Sequence, residues 1–359
     1  MLNKAIFPGK YIQGAGALKE LPGLIRLFGA KGFVIASPTA ERILSESGVL
    51  LKDTQIARFG GECCENELTR LDERIADSKP DVIVGMGGGK AIDTAKIAAD
   101  RAGLPVIIVP TTASTDAPCS GCAVLYSEGG VFDSVYYQKL NPSAVLVDTA
   151  IIAAAPVRFL VSGMGDALAT WFEARSCSAT RSENCCGGLG TMTGLSLARL
   201  CYDTLLKYGK PAVIAARQQI ITPALEHIIE ANTLLSGIGF ESGGLAAAHS
   251  IHNGLTALEE THAFYHGEKV AFGLLAGLHL TDVDPDEIAE VYTFCEEVGL
   301  PTTLADIGVK DCSRERLMKA AEKGCAPKEC IHHEAGKITP EMVLNGLLAA
   351  DAVGMARKG

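Results

Sequence analysis

Four histidines lie close together in the second half of the chain, at His249, His252, His262 and His266. His249 and His252 are three residues apart in a helical pattern, so they share one helix face. A lone buried histidine is usually only a core residue, but this cluster predicts a metal site, because neutral imidazole is the commonest metal ligand. Asp166 would supply an anionic ligand, because an unpaired carboxylate in such a small-residue, apolar stretch is costly. The alternative is that Asp166 caps its helix.

A glycine run, Gly87, Gly88 and Gly89, follows an apolar strand-like segment and precedes a helical one. Glycines let the backbone approach a ligand closely, and the start of the next helix offers free N–H groups and a positive dipole end to a phosphate. The order differs from the usual Gly-x-Gly-x-x-Gly, and the run does not follow the first strand. It indicates a pyrophosphate site, with a ligand-free tight turn as the alternative.

The next strand-like segment ends at Pro110 in a polar loop. Loops at the carboxyl ends of parallel strands carry the ligand sites of open α/β folds. A loop that only caps a helix is the alternative interpretation. The polar side chains are Thr111, Thr112, Ser114, Thr115 and Asp116.

These segments belong to an alternation of strands and helices that predicts an α/β domain. Continuous β-branched runs suit a parallel sheet covered on both faces. A helix is predicted over 90–102, and a hairpin over 124–137. The predicted strands are 32–37, 81–87, 104–110 and 144–148.

From about Pro156 onward the periodicity is helical throughout. Separate helices are predicted over 188–207 and 211–219, among others. We therefore expect an α/β domain over 1–155 and an all-helical domain over 156–359. The cleft between two domains is the default ligand site.

Composition narrows the classes of partner. The net charge is −10 and no basic block is present, so neither nucleic acid nor an anionic membrane is an expected partner. The twelve cysteines form no repeating framework, and no apolar leader or membrane span is seen, so we expect a cytoplasmic protein with reduced thiols. The Cys119 and Cys122 pair has no second pair to complete a zinc site, and a packing role is favoured.

Longer motifs around these residues resemble the glycerol dehydrogenases of the iron-containing alcohol dehydrogenase superfamily. The resemblance covers essentially the whole chain. It implies a Rossmann-like N-terminal domain with an all-α C-terminal domain, the dehydroquinate synthase-like architecture, and a homo-oligomer, commonly an octamer. The motifs are 87–96 (GGGKAIDTAK), 114–119 (STDAPC), 156–170 (PVRFLVSGMGDALAT), 247–256 (AAHSIHNGLT) and 266–273 (HGEKVAFG).

The resemblance also implies a ligand set. Asp166, His249 and His266 match the metal ligands, with one Zn²⁺ per subunit. Iron-using relatives carry a fourth ligand, a histidine, at the position of Thr170, so the three-ligand zinc type is expected. His252 is expected beside the metal without ligating it, and His249 and His252 are expected at the substrate.

The expected cofactor is NAD. By the same resemblance, Asp116 matches the residue that binds substrate hydroxyls, and Phe240 would lie near the site. The residues that match cofactor-binding positions are Gly87, Gly88, Gly89, Lys90, Asp93, Thr111, Thr112, Ser114, Ser120, Cys122 and Tyr126.

Ser37 departs from the pattern of the relatives. It stands at the end of the first predicted strand, where related dehydrogenases often place an Asp that holds the adenosine ribose. A serine can still hydrogen-bond a ribose hydroxyl, but it lacks the charge that repels a 2′-phosphate. Ser37 is therefore also expected at the cofactor.

The predicted reaction is the oxidation of glycerol and related vicinal diols to ketones by hydride transfer. A phosphorylated-polyol dehydrogenase or a dehydroquinate-synthase-like lyase is the alternative on the same fold. Such sites need several cations for a substrate phosphate, and only Lys269 and few others stand near the expected site. A catalytically silent NAD- or metal-binding protein is the alternative from a different class.

Overall fold

The structure is a computed structural model that describes all 359 residues. Its N-terminal part is built on a six-stranded parallel sheet with the order β1-β8-β5-β4-β2-β3. The four predicted strands are confirmed as β2, β4, β5 and β8, and each is buried along its whole length. The strands are β1 (Tyr11–Gly14), β2 (Gly32–Ala36), β3 (Thr54–Arg58), β4 (Val82–Gly87), β5 (Val106–Pro110) and β8 (Ala144–Asp148).

Helices cover both faces of this sheet, which explains why its central strands are apolar throughout. Phe33 and Ile35 face one core cluster, and Val34, between them, faces the other. The second cluster lies under α1 and α2, and the first continues under α3 and α4 into the helical domain. These helices are α1 (Leu21–Phe28), α2 (Pro38–Glu46), α3 (Glu65–Ser78), α4 (Gly89–Ala102) and α5 (Thr149–Ala154).

The predicted hairpin is confirmed as an antiparallel pair, β6 (Cys122–Tyr126) and β7 (Phe132–Tyr137), outside the main sheet. The carboxylate of Asp93 on α4 accepts a hydrogen bond of 3.0 Å from the Val124 amide of β6. This bond ties the hairpin to the helix that follows the glycine run.

The remainder of the chain is helical, as predicted. No helix combines the length and the apolar character that a bilayer crossing requires. The helices are α6 (Val157–Thr180), α7 (Met192–Arg217), α8 (Pro223–Glu230), α9 (Ser236–Gly243), α10 (Ala247–Leu255), α11 (His266–Gly277), α12 (Pro285–Val298), α13 (Arg314–Gly324) and α14 (Pro340–Lys358).

The prediction of separate helices on the two sides of Pro211 is wrong. The helix α7 runs through Pro211 without interruption. A proline costs a helix one backbone hydrogen bond and some strain, but Ala212, Val213 and Ala216 are buried in the same core as the preceding turns. Tertiary packing therefore outweighs the local preference.

Candidate active site

The structure brings the three predicted metal ligands together. Asp166 lies in the middle of α6, His249 in the first turn of α10, and His266 at the first residue of α11. The Asp166 Oδ1 atom is 3.4 Å from His249 Nε2 and 3.1 Å from His266 Nε2. One ligand atom from each residue lies within 4.8 Å of the other two. The three atoms can therefore hold a single ion.

The state of the Asp166 carboxylate fits a cation. Its side chain is 1% exposed, and Oδ1 is buried without a hydrogen-bond donor. Burial alone would raise the pKa of Asp166, but the neighbouring His266 and His249 imidazoles hold that pKa well below its usual range. An ionised, buried carboxylate oxygen without a donor is costly unless a positive ligand completes it.

Each of the two histidine ligands has a partner on its other ring nitrogen. His249 Nδ1 lies 2.6 Å from Glu173 Oε2, and His266 Nδ1 lies 3.1 Å from His252 Nε2. Burial, followed by the positive charges of neighbouring groups, holds the pKa of His252 well below its usual value and favours its neutral form. Its own Nδ1 lies 3.1 Å from Asn253 Oδ1. A proton on the Nδ1 atom of each of the two ligands would leave both Nε2 lone pairs for a metal.

Close helix crossings place these ligands. A Cβ on Gly267 would collide with the Ser162 carbonyl oxygen of α6, and a Cβ on Gly165 would collide with the Gly267 carbonyl oxygen. A Cβ on Gly273 of α11 would lie 2.5 Å from the Ala248 carbonyl oxygen of α10. Only glycine permits backbones to approach this closely. The glycines thus bring α6, α10 and α11 near enough for short side chains to share one ion.

Asp116 reaches this centre from the N-terminal domain. Its backbone amide lies 3.3 Å from Asp166 Oδ2, and its own carboxylate accepts a 2.9 Å hydrogen bond from Ser236. Burial and the nearby charge of Asp166 raise the pKa of Asp116 well above its ordinary value. Thr170 is also hydrogen-bonded to Ser236, at 2.9 Å, and is not part of the metal cluster.

One cavity of about 1380 Å³ connects the metal cluster to the glycine run. All of the predicted cofactor residues except Gly87 line this cavity. His252 and Phe240 also line it. The lining positions from the cofactor prediction are Ser37, Gly88, Gly89, Lys90, Asp93, Thr111, Thr112, Ser114, Ser120, Cys122 and Tyr126.

The end of the cavity near Gly88 and Gly89, here called the nucleotide end, is lined by backbone more than by charged side chains. Gly87 has φ +155°, and a Cβ there would lie 3.1 Å from the Ser37 side chain. Around Gly89, which begins α4, no atom would lie within 4 Å of a Cβ. The free N–H groups at the start of α4 are therefore open to a phosphate. Lys90 is engaged elsewhere, in a 2.5 Å ion pair with Glu62.

Sequence reasoning missed Glu173 and Lys96. Glu173 lies seven residues after Asp166 on α6, two turns along the same face, and this spacing could have revealed it. Lys96 is fully buried on α4, and its ammonium donates to the Cys122 carbonyl oxygen at 2.8 Å and to the Ala117 carbonyl oxygen. Lys96 therefore fixes the loop that follows Asp116.

Comparisons with known proteins agree with this geometry. The sequence profile of the iron-containing alcohol dehydrogenases matches residues 8–149. The chain is 53% identical to a glycerol dehydrogenase of Thermotoga maritima, over all of this chain and 99% of that protein. It is 48% identical to a glycerol dehydrogenase of Pseudomonas putida, over 97% of this chain and 96% of that protein.

The chain belongs to the glycerol dehydrogenase family, within the iron-containing alcohol dehydrogenases. The structure of a probable glycerol dehydrogenase from Sinorhizobium meliloti superposes with a TM-score of 0.94 at 46% identity, covering 99% of this chain and all of that one. The predicted fold class of a Rossmann-like domain followed by a helical domain is thereby confirmed. In this member of the glycerol dehydrogenase family, the helical domain carries all three candidate metal ligands.

Proposed function

We propose that this chain oxidises glycerol and related vicinal diols to ketones, with NAD as hydride acceptor and one Zn²⁺ per subunit. The observation that carries the proposal is the convergence of Asp166, His249 and His266 in the cavity that also contains the glycine run. Sequence identities of 53% and 48% to two glycerol dehydrogenases support the substrate class.

The protein's contribution begins with the ion. Asp166 Oδ1, His249 Nε2 and His266 Nε2 would hold it, and three protein ligands leave positions open, as in catalytic rather than structural zinc sites. When bound, the cation supplies Lewis acidity to a substrate hydroxyl and the nicotinamide accepts the hydride. The absence of a histidine at Thr170 supports zinc over the four-ligand iron type.

Asp116 is proposed to orient the substrate. Its carboxylate lines the cavity and is fixed by the Ser236 hydroxyl, and its amide contacts Asp166. A carboxylate in this position can accept a hydrogen bond from a diol hydroxyl and fix the carbon that loses hydride. His252 holds the ring of His266 and lines the cavity, and we propose that it also contacts the substrate.

The charges along the cavity argue against a phosphorylated substrate. The lysines and arginines that line it are Lys19, Arg42 and Lys90, all in the N-terminal domain. The metal end is lined instead by carboxylates, Asp116 and Asp166. A substrate phosphate would find no cation among the side chains lining that end, whereas phosphate sites use arginine or lysine.

We propose that the domain boundary lies at Ala155, giving a cofactor domain over 1–155 and a catalytic domain over 156–359. The supporting observation is that β8 and α5 end the sheet-based part just before α6 begins. We also propose a cytoplasmic homo-oligomer, with an octamer as the form that the family resemblance favours. Light scattering on the purified protein tests the assembly.

The test compares two of the four histidines that lie close together in the sequence, His249 and His262. His249→Ala should lose bound zinc, measured by elemental analysis, and nearly all glycerol-dependent NADH formation, while NADH still binds. His262→Ala is the control, because His262 is exposed and lies outside the cavity lining. Normal glycerol turnover by His249→Ala would refute the ligand assignment. Turnover of glycerol phosphate but not glycerol by the unaltered protein would refute the substrate.

A further inference from the structure

The end of β2 lies beside the turn that would hold a pyrophosphate. Ser37 follows β2 directly, its amide donates to the Met86 carbonyl oxygen at 3.0 Å, and its side chain packs against Gly87. In dinucleotide-binding folds, an acidic residue near the glycine turn binds the ribose 2′-hydroxyl and disfavours a 2′-phosphate. Position 37 is therefore where such an acidic residue would lie in this chain.

No carboxylate occupies this position. The Ser37 hydroxyl caps α2 by accepting a 3.2 Å hydrogen bond from the Ala40 amide. Glu41, in the first turns of α2, does not line the cavity and forms a 2.6 Å ion pair with Arg58. Glu46 does line the cavity, but at a rise of 1.5 Å per residue it lies roughly 13 Å further along the helix than Ser37.

The cavity-facing side of α2 carries a cation instead. Thr39 and Arg42 are three residues apart, share a helix face, and both line the cavity. Arg42 takes part in no ion pair and no side-chain hydrogen bond, although Glu46 stands one turn away. Helical side chains lean toward the N-terminus, which directs the Arg42 side chain toward the first turn of α2, next to Ser37. Guanidinium groups bind phosphate oxygens in bidentate fashion.

We propose that this end of the cavity accepts a 2′-phosphate through Arg42, so that the protein uses NADP as well as NAD. The inference rests on the proposed dehydrogenase function and deepens it by naming a second cofactor class. It adds no step to the reaction, because the 2′ position of the adenosine ribose lies at the opposite end of the dinucleotide from the hydride-accepting ring.

The test uses probes that contain only the adenosine end of each cofactor. Isothermal titration calorimetry of the metal-loaded protein should give dissociation constants for 2′,5′-ADP and 5′-AMP, which differ only by the 2′-phosphate, within about threefold of each other. Arg42→Ala should weaken 2′,5′-ADP about tenfold more than 5′-AMP, as expected for one lost charge-assisted contact. Arg26→Ala, an exposed arginine of α1 outside the cavity lining, is the matched control and should change neither.

A second variant tests position 37 from the other side. Ser37→Asp should weaken 2′,5′-ADP at least about tenfold and leave 5′-AMP bound, because a carboxylate repels the 2′-phosphate. Equal losses for both probes in Arg42→Ala or Ser37→Asp would overturn the inference. So would unaltered protein that binds 5′-AMP more than about tenfold tighter than 2′,5′-ADP, while NAD-dependent glycerol oxidation would still stand. Failure of both probes to bind would overturn the proposed function itself.

Discussion

The two ends of the cavity hold charge in different ways. At the metal end, buried side chains of Asp166, His249 and His266 converge, and each imidazole has a second partner that fixes its ring. At the nucleotide end, Gly88 and Gly89 present backbone, and the adjacent Lys90 is engaged with Glu62. An ion needs ligands fixed to fractions of an ångström, whereas a phosphate can be met by several amides at the start of a helix. Substitutions should therefore matter most at the metal end.

The same difference applies to two glycines at helix starts, and it gives the largest expected effect. Gly267→Ala should lose zinc and lower the melting temperature strongly, because its Cβ would collide with the Ser162 carbonyl oxygen in a crossing that has no room to relax. Gly89→Ala should fold normally, because its Cβ meets no atom within 4 Å. Thermal denaturation and elemental analysis of both variants check this. A Gly267→Ala protein with normal metal content would show that the crossing is not what positions the ligands.

Lys96 is an exception at the nucleotide end, where a buried charge does fix the backbone. Lys96→Met should destabilise the protein by about 3–5 kcal/mol, because it leaves the Ala117 and Cys122 carbonyl oxygens without their donor. We expect weaker NADH binding as well, because the same loop lines the cavity. Denaturant titration measures the stability. A loss below about 1 kcal/mol would mean that the loop is held by other contacts.

The third largest effect is expected at Glu173, the partner of His249. Glu173→Gln should weaken zinc binding by about 10–100-fold, because the carboxylate fixes the ring and makes it a better donor. Glu334→Gln is the matched control: Glu334 accepts a 3.2 Å hydrogen bond from the Ala247 amide at the start of the same helix but does not contact a ligand. Competition with a chelator of known affinity measures both variants. Equal weakening in the two variants would mean that Glu173 acts only by accepting hydrogen bonds from the Ala246 and His249 amides at the start of α10.

The smallest effect is expected at Lys90. Its ammonium forms an ion pair with Glu62 and lies 4.8 Å from the Tyr126 ring centre, at 45% side-chain exposure. Exposed ion pairs contribute about 0–1 kcal/mol, so Lys90→Ala should change stability and NADH affinity little. Fluorescence titration with NADH checks this. A tenfold loss of affinity would show that Lys90 leaves Glu62 to bind the cofactor.

The sequence alone was enough for the features that depend on local pattern. The central strands β2, β4, β5 and β8 are continuous apolar runs, which is what full burial in a parallel sheet requires. The edge strands β1 and β3 were missed, because β1 is only half-buried and β3 is largely exposed, and their residues lack that pattern. Tertiary packing, which no local pattern reports, also carries α7 through Pro211.

At the site, the candidate ligands and the neighbouring His252 were predicted, but Glu173 and Lys96 were not. Histidine density and a family resemblance pointed to Asp166, His249 and His266, and the structure gathers all three. Glu173 was missed because its partner His249 is 76 residues away in the chain. Lys96 resembles any helix-surface lysine in sequence, and only its complete burial reveals that it holds a loop.

Thr170 limits how this centre could be redesigned. The Thr170 hydroxyl is hydrogen-bonded to the Ser236 hydroxyl. The Thr170 methyl group lies 2.7 Å from the position that a Cβ on Gly239 would occupy. An imidazole there would have to displace α9, and with it the serine that steadies Asp116. The packing of the helices thus limits the number of protein ligands. Converting the site to a four-ligand type would require repacking of several helices rather than the exchange of one side chain.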